Sequence, residues 1–224
     1  MVRLDLRPRS VPLPVSPSLD RSFLQMVRFS TALLLLIGLL CCASPGYAQQ
    51  GAQTVSADLD QLVRSAGTIL RGQVISVNVE PHPQFPNLQT VVVTISVARV
   101  LKGEAASTFT FRQFIWDRGV TSDAAGYRKS GELLLLLNPV SPYGLTSPVG
   151  LEQGRFRVVR DAKGKGFAVN GRANFGLFQQ VVSKASSRGI SFSRQAEVMM
   201  AKPSGQASLD ALEEAIITLA GASK

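Results

Sequence analysis

The sequence predicts a mainly β protein, a small barrel of five or six strands with flanking helices. Three observations favour this fold class. Thr90–Gly103 carries branched apolar residues at alternate positions, which is typical of a strand. Leu133–Leu137 is an unbroken leucine run that is too short for a stable helix. Further alternating segments surround these two and are separated by turns rich in glycine and proline.

The N-terminal region has the features of a secretory signal peptide. Arg28 precedes an apolar run, Ala32–Cys42, and small residues follow as far as Ala48. This run is shorter than the ~20 residues of a membrane-spanning helix. We therefore predict a signal peptide over residues 26–48, cleaved after Ala48, with no membrane span afterwards. Residues 1–25 are then a non-native or extended leader, and the protein is exported to the periplasm or the extracellular space.

Cysteine usage and charge narrow the function classes. Cys41 and Cys42 both lie in the predicted signal, so the exported chain has no thiol, disulfide or cysteine metal ligand. Acylation as a lipoprotein would need a small residue before the cysteine, and leucine or cysteine stands there. The formal net charge is +9. This charge suits anionic surfaces or glycans, while export argues against genomic nucleic acid as a partner.

A short helix and a bent strand open the exported chain. Asp58–Ser65 places its apolar residues at helical spacing, which predicts a helix. Thr68–Val79 is rich in branched residues and predicts the first strand. Its apolar face changes next to Gly72, and we therefore expect a bend within this strand.

The second strand follows a rigid loop. That loop contains the single histidine of the chain, His82, between two prolines, and we expect it at the surface. Thr90–Gly103 then returns as the second strand. Its alternation slips near Arg99, so we predict a bulge or bend before Lys102.

Two more strands follow in the middle of the chain. Ser107–Asp117 predicts the third strand, with Phe109 and Phe111 on one face as core residues rather than a stacking platform. The following polar segment predicts a loop up to Gly131. Leu133–Leu137 is apolar on both faces, so we expect a strand that is buried on both sides or covered by a helix.

A hairpin and a terminal helix complete the pattern. Arg155–Arg160 alternates, a turn follows, and Phe167–Val169 returns. Ser208 is placed to cap a terminal helix that ends at Gly221. The apolar stripe of this helix consists of Leu209, Leu212, Ile216 and Leu219. We predict a β-barrel domain over residues 49–170 and an extension over 171–224, in which only Phe175–Val182 and the terminal helix have a helical pattern.

Bent strands that are rich in aromatic and branched residues favour an OB-like barrel. A β-sandwich is the alternative, because strand spacing does not distinguish a closed sheet from two packed sheets. The segments ILRGQVISVNV, VVVTISVARVLKG, SGELLLLL and QGRFRVV resemble those of a group of uncharacterised exported bacterial proteins. More distantly, they resemble the netrin-like OB-barrel module of tissue inhibitors of metalloproteinases. The resemblance covers Ala57–Val169 and implies a barrel. Those inhibitors chelate zinc through an N-terminal cysteine, which the exported chain lacks, so inhibition is not implied.

Residue types that usually carry catalysis are scarce. His82 cannot complete a serine triad on its own, and the chain contains no G-x-S-x-G elbow. We interpret His82 as an exposed loop histidine that is available to a binding surface. No cofactor or metal site is expected.

Three carboxylates offer one catalytic alternative. Asp117, Asp123 and Glu132 flank one loop and could act as acid and base in glycan hydrolysis. The simpler expectation is that the aspartates serve turns and that Glu132 forms a salt bridge with a neighbour such as Arg112 or Lys129.

The best candidate binding surface is the predicted hairpin. Its basic residues are Arg155, Arg157, Arg160, Lys163 and Lys165. Arg155 and Arg157 share the outward face and could bind an anionic ligand or partner. The alternative is a solvated strand whose charges protect a sheet edge. The function predicted is an exported, non-catalytic binding module that contacts an envelope protein or glycan. A glycan hydrolase and a purely structural envelope protein are the other candidates.

Overall fold

The computed structural model describes residues 55–115 and 126–222. In this part of the chain, seven antiparallel strands form one sheet, and four short helices accompany it. The predicted leader (1–25), the predicted signal peptide (26–48) and the carboxylates Asp117 and Asp123 lie outside the described residues.

The first six strands and the first and last helices lie close to their predicted positions, whereas the last strand and the helix before it had no counterpart in the prediction. The strands are β1 Thr68–Pro81, β2 Gln89–Lys102, β3 Thr108–Phe114, β4 Glu132–Leu137, β5 Arg155–Arg160, β6 Gly166–Asn170 and β7 Ala207–Ser208. The helices are α1 Leu59–Ser65, α2 Val181–Ser186, α3 Arg194–Met200 and α4 Leu209–Gly221. Across the sheet the strand order is β3-β2-β1-β4-β5-β6-β7.

The prediction of a mainly β fold is confirmed, but the barrel is not closed. In the described residues, β3 and β7 form the two edges of a single open sheet. β7 has only two residues, Ala207 and Ser208, which is too short to complete a closed sheet. The sandwich alternative is also wrong for these residues, because it requires two packed sheets. Helices, rather than a second sheet, cover one face.

The predicted bends in the two long strands are confirmed. The register between β1 and β2 shifts between Arg71 and Gly72, whose partners are Arg99 and Val97. Ala98 is therefore the extra residue of a β-bulge. A second shift, between Val74 and Ser76, leaves Ile75 as the extra residue of β1, so each strand changes its side-chain alternation at its own bulge.

Each face of the sheet carries its own apolar cluster. The face covered by the helices, called the helix face here, includes Leu134, Leu136 and Phe156. The other face, called the opposite face, includes Leu133, Leu135 and Leu137 with residues of β1, β2 and β3. All five leucines of β4 are at most 3% exposed, so the prediction of a strand buried on both sides is confirmed.

Helix α4 packs on the helix face through the predicted stripe. The four stripe residues, Leu209, Leu212, Ile216 and Leu219, are all buried. Ser208 precedes the helix as expected, but its side chain makes no capping hydrogen bond. In the described part of the chain, no helix has the length and apolar character needed to cross a membrane.

Buried amides hold the segment before α2, for which the sequence shows little pattern. The Asn174 side chain donates to the carbonyl oxygens of Ala168 and Gly205 and accepts a bond from the Asn170 backbone nitrogen. The helix expected over Phe175–Val182 forms only from Val181 onward. Because tertiary hydrogen bonds organise this segment, hydrophobic periodicity does not reveal it.

Candidate anion-binding site

The sheet divides the basic residues of the hairpin between its two faces. Arg155 and Arg157 pair with Leu135 and Leu133, and paired residues of neighbouring strands share a face, so both arginines lie on the opposite face. Arg160 lies on the helix face, where its guanidinium donates to Glu132. The five predicted residues therefore do not form one surface.

The edge-protection alternative for this hairpin is wrong. Strand β5 pairs with β4 on one side and with β6 on the other, so it is an internal strand of the sheet. An internal strand has no unpaired backbone to protect from aggregation. The solvated part of that alternative stands for Arg157, which is exposed, while Arg155 is half-buried.

Arg155 and Arg157 line a pocket of 350 Å³ on the opposite face, together with Arg128. We call this hollow, lined by Arg128, Arg155 and Arg157, the arginine pocket. Its lining also includes the apolar residues Leu133 and Val159. Three cationic side chains thus meet apolar surface in one concavity.

Arg155 is held in place by its neighbours. Its guanidinium carbon lies 5.3 Å from the centroid of the Tyr127 ring, a cation–π geometry. Gly126 has a φ of +83°, and a Cβ atom built on it would lie 2.2 Å from the same guanidinium carbon. The missing side chain of Gly126 therefore provides the space that the Arg155 guanidinium occupies.

Tyr127 is a fixed support for this arginine. It is fully buried, and its hydroxyl donates to Gln113 Oε1 at 2.6 Å. Burial raises the pKa of Tyr127, and the Arg155 charge opposes the rise without cancelling it. The phenol therefore stays neutral at physiological pH, and its ring presents an aromatic face to the cation.

The other two arginines of the pocket are available. Arg128 and Arg157 are exposed, and neither guanidinium makes an ion pair or hydrogen bond with any residue in the two described ranges. A guanidinium is planar and always charged, and it binds carboxylates and phosphates through two parallel hydrogen bonds. The arginine pocket can therefore receive an anionic group.

Glu132, which also lines this pocket, belongs to a chain of ion pairs that reaches α4. Its Oε1 accepts from Arg71 Nη1 at 2.7 Å and from Arg160 Nη2 at 2.8 Å. Arg71 Nε also donates to Glu213 at 2.6 Å, and Arg99 donates to the second oxygen of Glu213 at 2.6 Å. The prediction that Glu132 pairs with Arg112 or Lys129 is therefore wrong.

The environment of Glu132 does not favour a role as a proton donor. Burial alone would raise its pKa, but hydrogen bonds from Arg160 and Arg71 outweigh that effect and lower the pKa. The carboxylate therefore stays ionised at neutral pH, whereas a glycosidase acid needs a raised pKa. Catalysis by Glu132 with Asp117 or Asp123 stays a prediction, since both aspartates lie outside the described residues.

His82 is buried, so the expectation of an exposed loop histidine is wrong. It is only 3% exposed. Its Nε2 lies 2.9 Å from the Tyr143 carbonyl oxygen, and its Nδ1 lies 3.2 Å from the Gln84 backbone nitrogen. These contacts fit the tautomer in which Nε2 donates and Nδ1 accepts. The loop lies at the surface as expected, since residues 83–87 are exposed, but His82 itself is buried and both of its ring nitrogens are occupied.

We expect His82→Ala to lower the free energy of unfolding by about 1–2 kcal/mol, because it removes a buried hydrogen bond and a ring stacked on Phe85. Urea denaturation measures this loss. Gln84→Ala is the control, since Gln84 is exposed and its contact to His82 uses the backbone. A His82→Ala protein as stable as the control would contradict a structural role for the imidazole.

The sequence pattern missed two parts of the site. Gly126 and Tyr127 follow a polar stretch in which no periodicity marks Tyr127 as buried. Across residues 55–115 and 126–222, no three side chains of His, Cys, Asp or Glu gather as metal ligands.

A comparison of the chain with protein-family models, curated proteins and solved structures finds no match.

Proposed function

We propose that this chain is an exported, non-catalytic binding module that contacts an envelope protein or glycan through the arginine pocket. The observation that carries the proposal is the arrangement of the three arginines. Arg155 is positioned on Tyr127 and Gly126, while the guanidinium groups of Arg128 and Arg157 are exposed and have no partner among the described residues.

Electrostatics supports this function. Like charges placed close together repel each other, and the repulsion is relieved when an anion binds between them. Elsewhere on the hairpin, Arg160 is already paired with Glu132. The guanidinium groups of Arg128 and Arg157 make no ion pair within the described residues, and a ligand that brings negative charge would relieve their repulsion.

The hydrolase alternative has less support. Two arginines already use the carboxylate of Glu132, and its lowered pKa suits a permanent anion rather than an acid. A purely structural envelope protein would have no need for cations around a hollow. Binding is therefore the function that these side chains favour.

The proposal predicts that Arg155→Glu with Arg157→Glu reduces binding to envelope components by at least tenfold, roughly the loss of one charge-assisted contact. Tagged protein captures partners from an envelope extract, and the captured material is quantified after washes at low and high salt. The melting temperature should change little, because Arg157 is exposed and Arg155 is half-buried.

The matched control is Lys163→Glu with Lys165→Glu. Both lysines are exposed on the turn of the same hairpin, so this variant changes the net charge by the same amount. Retained capture by the lysine variant with loss in the arginine variant supports the arginine pocket. Equal loss in both variants would instead indicate nonspecific attraction by net charge and would contradict the proposal.

A further inference from the structure

We infer that the protein forms a homodimer in which strand β3 pairs with β3 of a second copy, antiparallel and centred on Phe109. In the described part of the chain, β3 is an edge of the sheet. We call residues Thr108–Thr110, at the start of this strand, the free edge. The inference goes beyond the proposed function, since it involves no residue that lines the arginine pocket.

Alternate residues of β3 direct their backbone groups away from β2. The Ile115 nitrogen donates to the Gln89 carbonyl at 3.1 Å, and the Ser107 carbonyl accepts from the Val97 nitrogen at 2.8 Å. The odd-numbered residues of this segment therefore bond to β2, because bonded positions alternate along an antiparallel strand. The even-numbered residues point their N–H and C=O groups to the outer side of the sheet.

The described residues cover part of this outer side. The Arg112 carbonyl accepts from the Thr146 nitrogen at 2.9 Å, and Leu145 forms a parallel bridge beside Arg112. No described residue makes such a contact with the backbone of Thr108 or Thr110 on this side, and both residues are exposed. The free edge therefore has donors and acceptors that another strand can bond.

The free edge lacks the features by which natural proteins prevent edge pairing, such as lysine, proline and bulges. Its sequence is Thr-Phe-Thr, and its register with β2 has no shift. The nearest charge of the strand, Arg112, is ion-paired with Glu80 at 2.6 Å. The other edge, β7, is protected by its length of only two residues. Of the two edges, β3 is therefore the one suited to pairing.

A second copy of the chain fits this edge better than a longer foreign strand. An antiparallel pair centred on Phe109 places Thr108 of one copy opposite Thr110 of the other, so each outward N–H meets an outward C=O. Arg112 then faces Ala106 of the second copy, which precedes β3. The second copy therefore requires no pairing where the outer side is already covered, whereas a longer strand would meet that cover.

The side chains at the free edge also suit self-pairing. Phe109 packs only partly against the apolar cluster of the opposite face, so its ring retains accessible surface. At the centre of the pair, the two Phe109 side chains lie at a non-hydrogen-bonded position, where facing side chains are closest. Aromatic pairs across strands are stabilising, and this register places no like charges opposite each other. Because the contact is small, we expect a weak dimer that forms as the concentration rises.

Sedimentation equilibrium of the purified protein measures the dimer. We expect the mean mass to rise with concentration, with a dissociation constant below about 1 mM. Thr110→Pro should weaken dimerisation at least tenfold, because it removes an outward N–H without removing a bond to β2. Thr110→Val is the matched control and should stay within threefold of the wild type. It keeps this N–H and, like the proline variant, loses the side-chain contact with Thr94.

Each of the other outcomes would overturn the inference. A wild type that stays monomeric up to about 1 mM would exclude the dimer. Equal dimerisation of Thr110→Pro and Thr110→Val would assign it to another surface. If the wild type is monomeric and Thr110→Pro loses capture of an envelope protein, the edge binds a foreign strand instead of a second copy.

Disulfide trapping tests the register, in a background of Cys41→Ser and Cys42→Ser that removes the native cysteines. Phe109→Cys should cross-link on mild oxidation, because facing non-hydrogen-bonded residues have Cα atoms about 4.5 Å apart, within disulfide range. Thr110→Cys should cross-link at least fivefold more slowly, since its two copies are diagonal neighbours about 7–8 Å apart. Lys163→Cys, on the exposed turn of the β5–β6 hairpin, measures random collision.

This readout does not require that the proline variant folds. Faster cross-linking of Thr110→Cys than of Phe109→Cys would overturn the register, because it indicates a pair centred on Thr110. Cross-linking of Phe109→Cys no faster than that of Lys163→Cys would overturn the pairing of β3 altogether.

Discussion

Glu213→Ala is expected to lower the free energy of unfolding by about 3 kcal/mol, the low end of the range for breaking a buried ion pair. Glu213 is 1% exposed, and its two oxygens accept bonds from Arg71 and Arg99 at 2.6 Å each. Its removal leaves the largely buried Arg71 guanidinium with Glu132 alone. Because Arg99 is half exposed, water replaces its lost contact, which keeps the loss near the low end.

Urea denaturation of the wild type and the variant measures this loss. Glu214→Ala is a matched control on the same helix, because Glu214 is exposed and accepts one bond from Ser193 at 2.9 Å. We expect the control to lose less than about 1 kcal/mol. A similar loss in both variants would assign the effect to the helix rather than to the buried ion pairs.

The second large effect is expected for Gly72→Ala, with a loss of about 3 kcal/mol from steric overlap in the sheet. A Cβ atom at this position would lie 2.2 Å from the carbonyl oxygen of Ser96 and 2.5 Å from Ile95 Cγ2. The Ser96 carbonyl is part of the β2 backbone, and this backbone cannot move without disturbing its hydrogen bonds with β1. The usual gain from replacing a strand glycine, about 0.5–1 kcal/mol, is too small to offset this.

The same denaturation experiment tests Gly72→Ala. Gly221→Ala is the control, because nothing lies within 4 Å of a Cβ at the last residue of α4. The control should be neutral or more stable by up to about 1 kcal/mol. A Gly72→Ala protein as stable as the control would show that the two strands separate easily at the bulge.

These two variants probe neighbouring parts of one arrangement. The register shift between Arg71 and Gly72 marks where β1 and β2 approach closely, and Arg71 then reaches both Glu132 and Glu213. The ion pairs that use Glu132 therefore depend on the bulge.

Local patterns were sufficient to predict most elements. The leucines of β4, the apolar stripe of α4 and the phase changes in β1 and β2 each reflect the environment of residues close together in sequence. Alternation likewise predicted that Arg155 and Arg157 share a face. Such patterns are readable because burial repeats with the period of the strand or helix.

Sheet closure could not be predicted from the same patterns. The alternation within a strand indicates which residues face a core, but it does not indicate whether the first and last strands of the sheet meet. That outcome depends on β7, whose two residues are too few to show any alternation. The open sheet therefore became evident only from the strand order.

The composition of the site depended on contacts between distant residues. Arg71 and Glu213 are 142 positions apart, and the Tyr143 carbonyl that orients His82 is 61 positions from it. Residue type and periodicity identify a charged or aromatic side chain but not its partner, because partners are chosen by how elements pack in space. Composition and strand pattern thus follow from the chain itself, while the pairing of Glu132, the burial of His82 and the support of Arg155 by Tyr127 follow from packing.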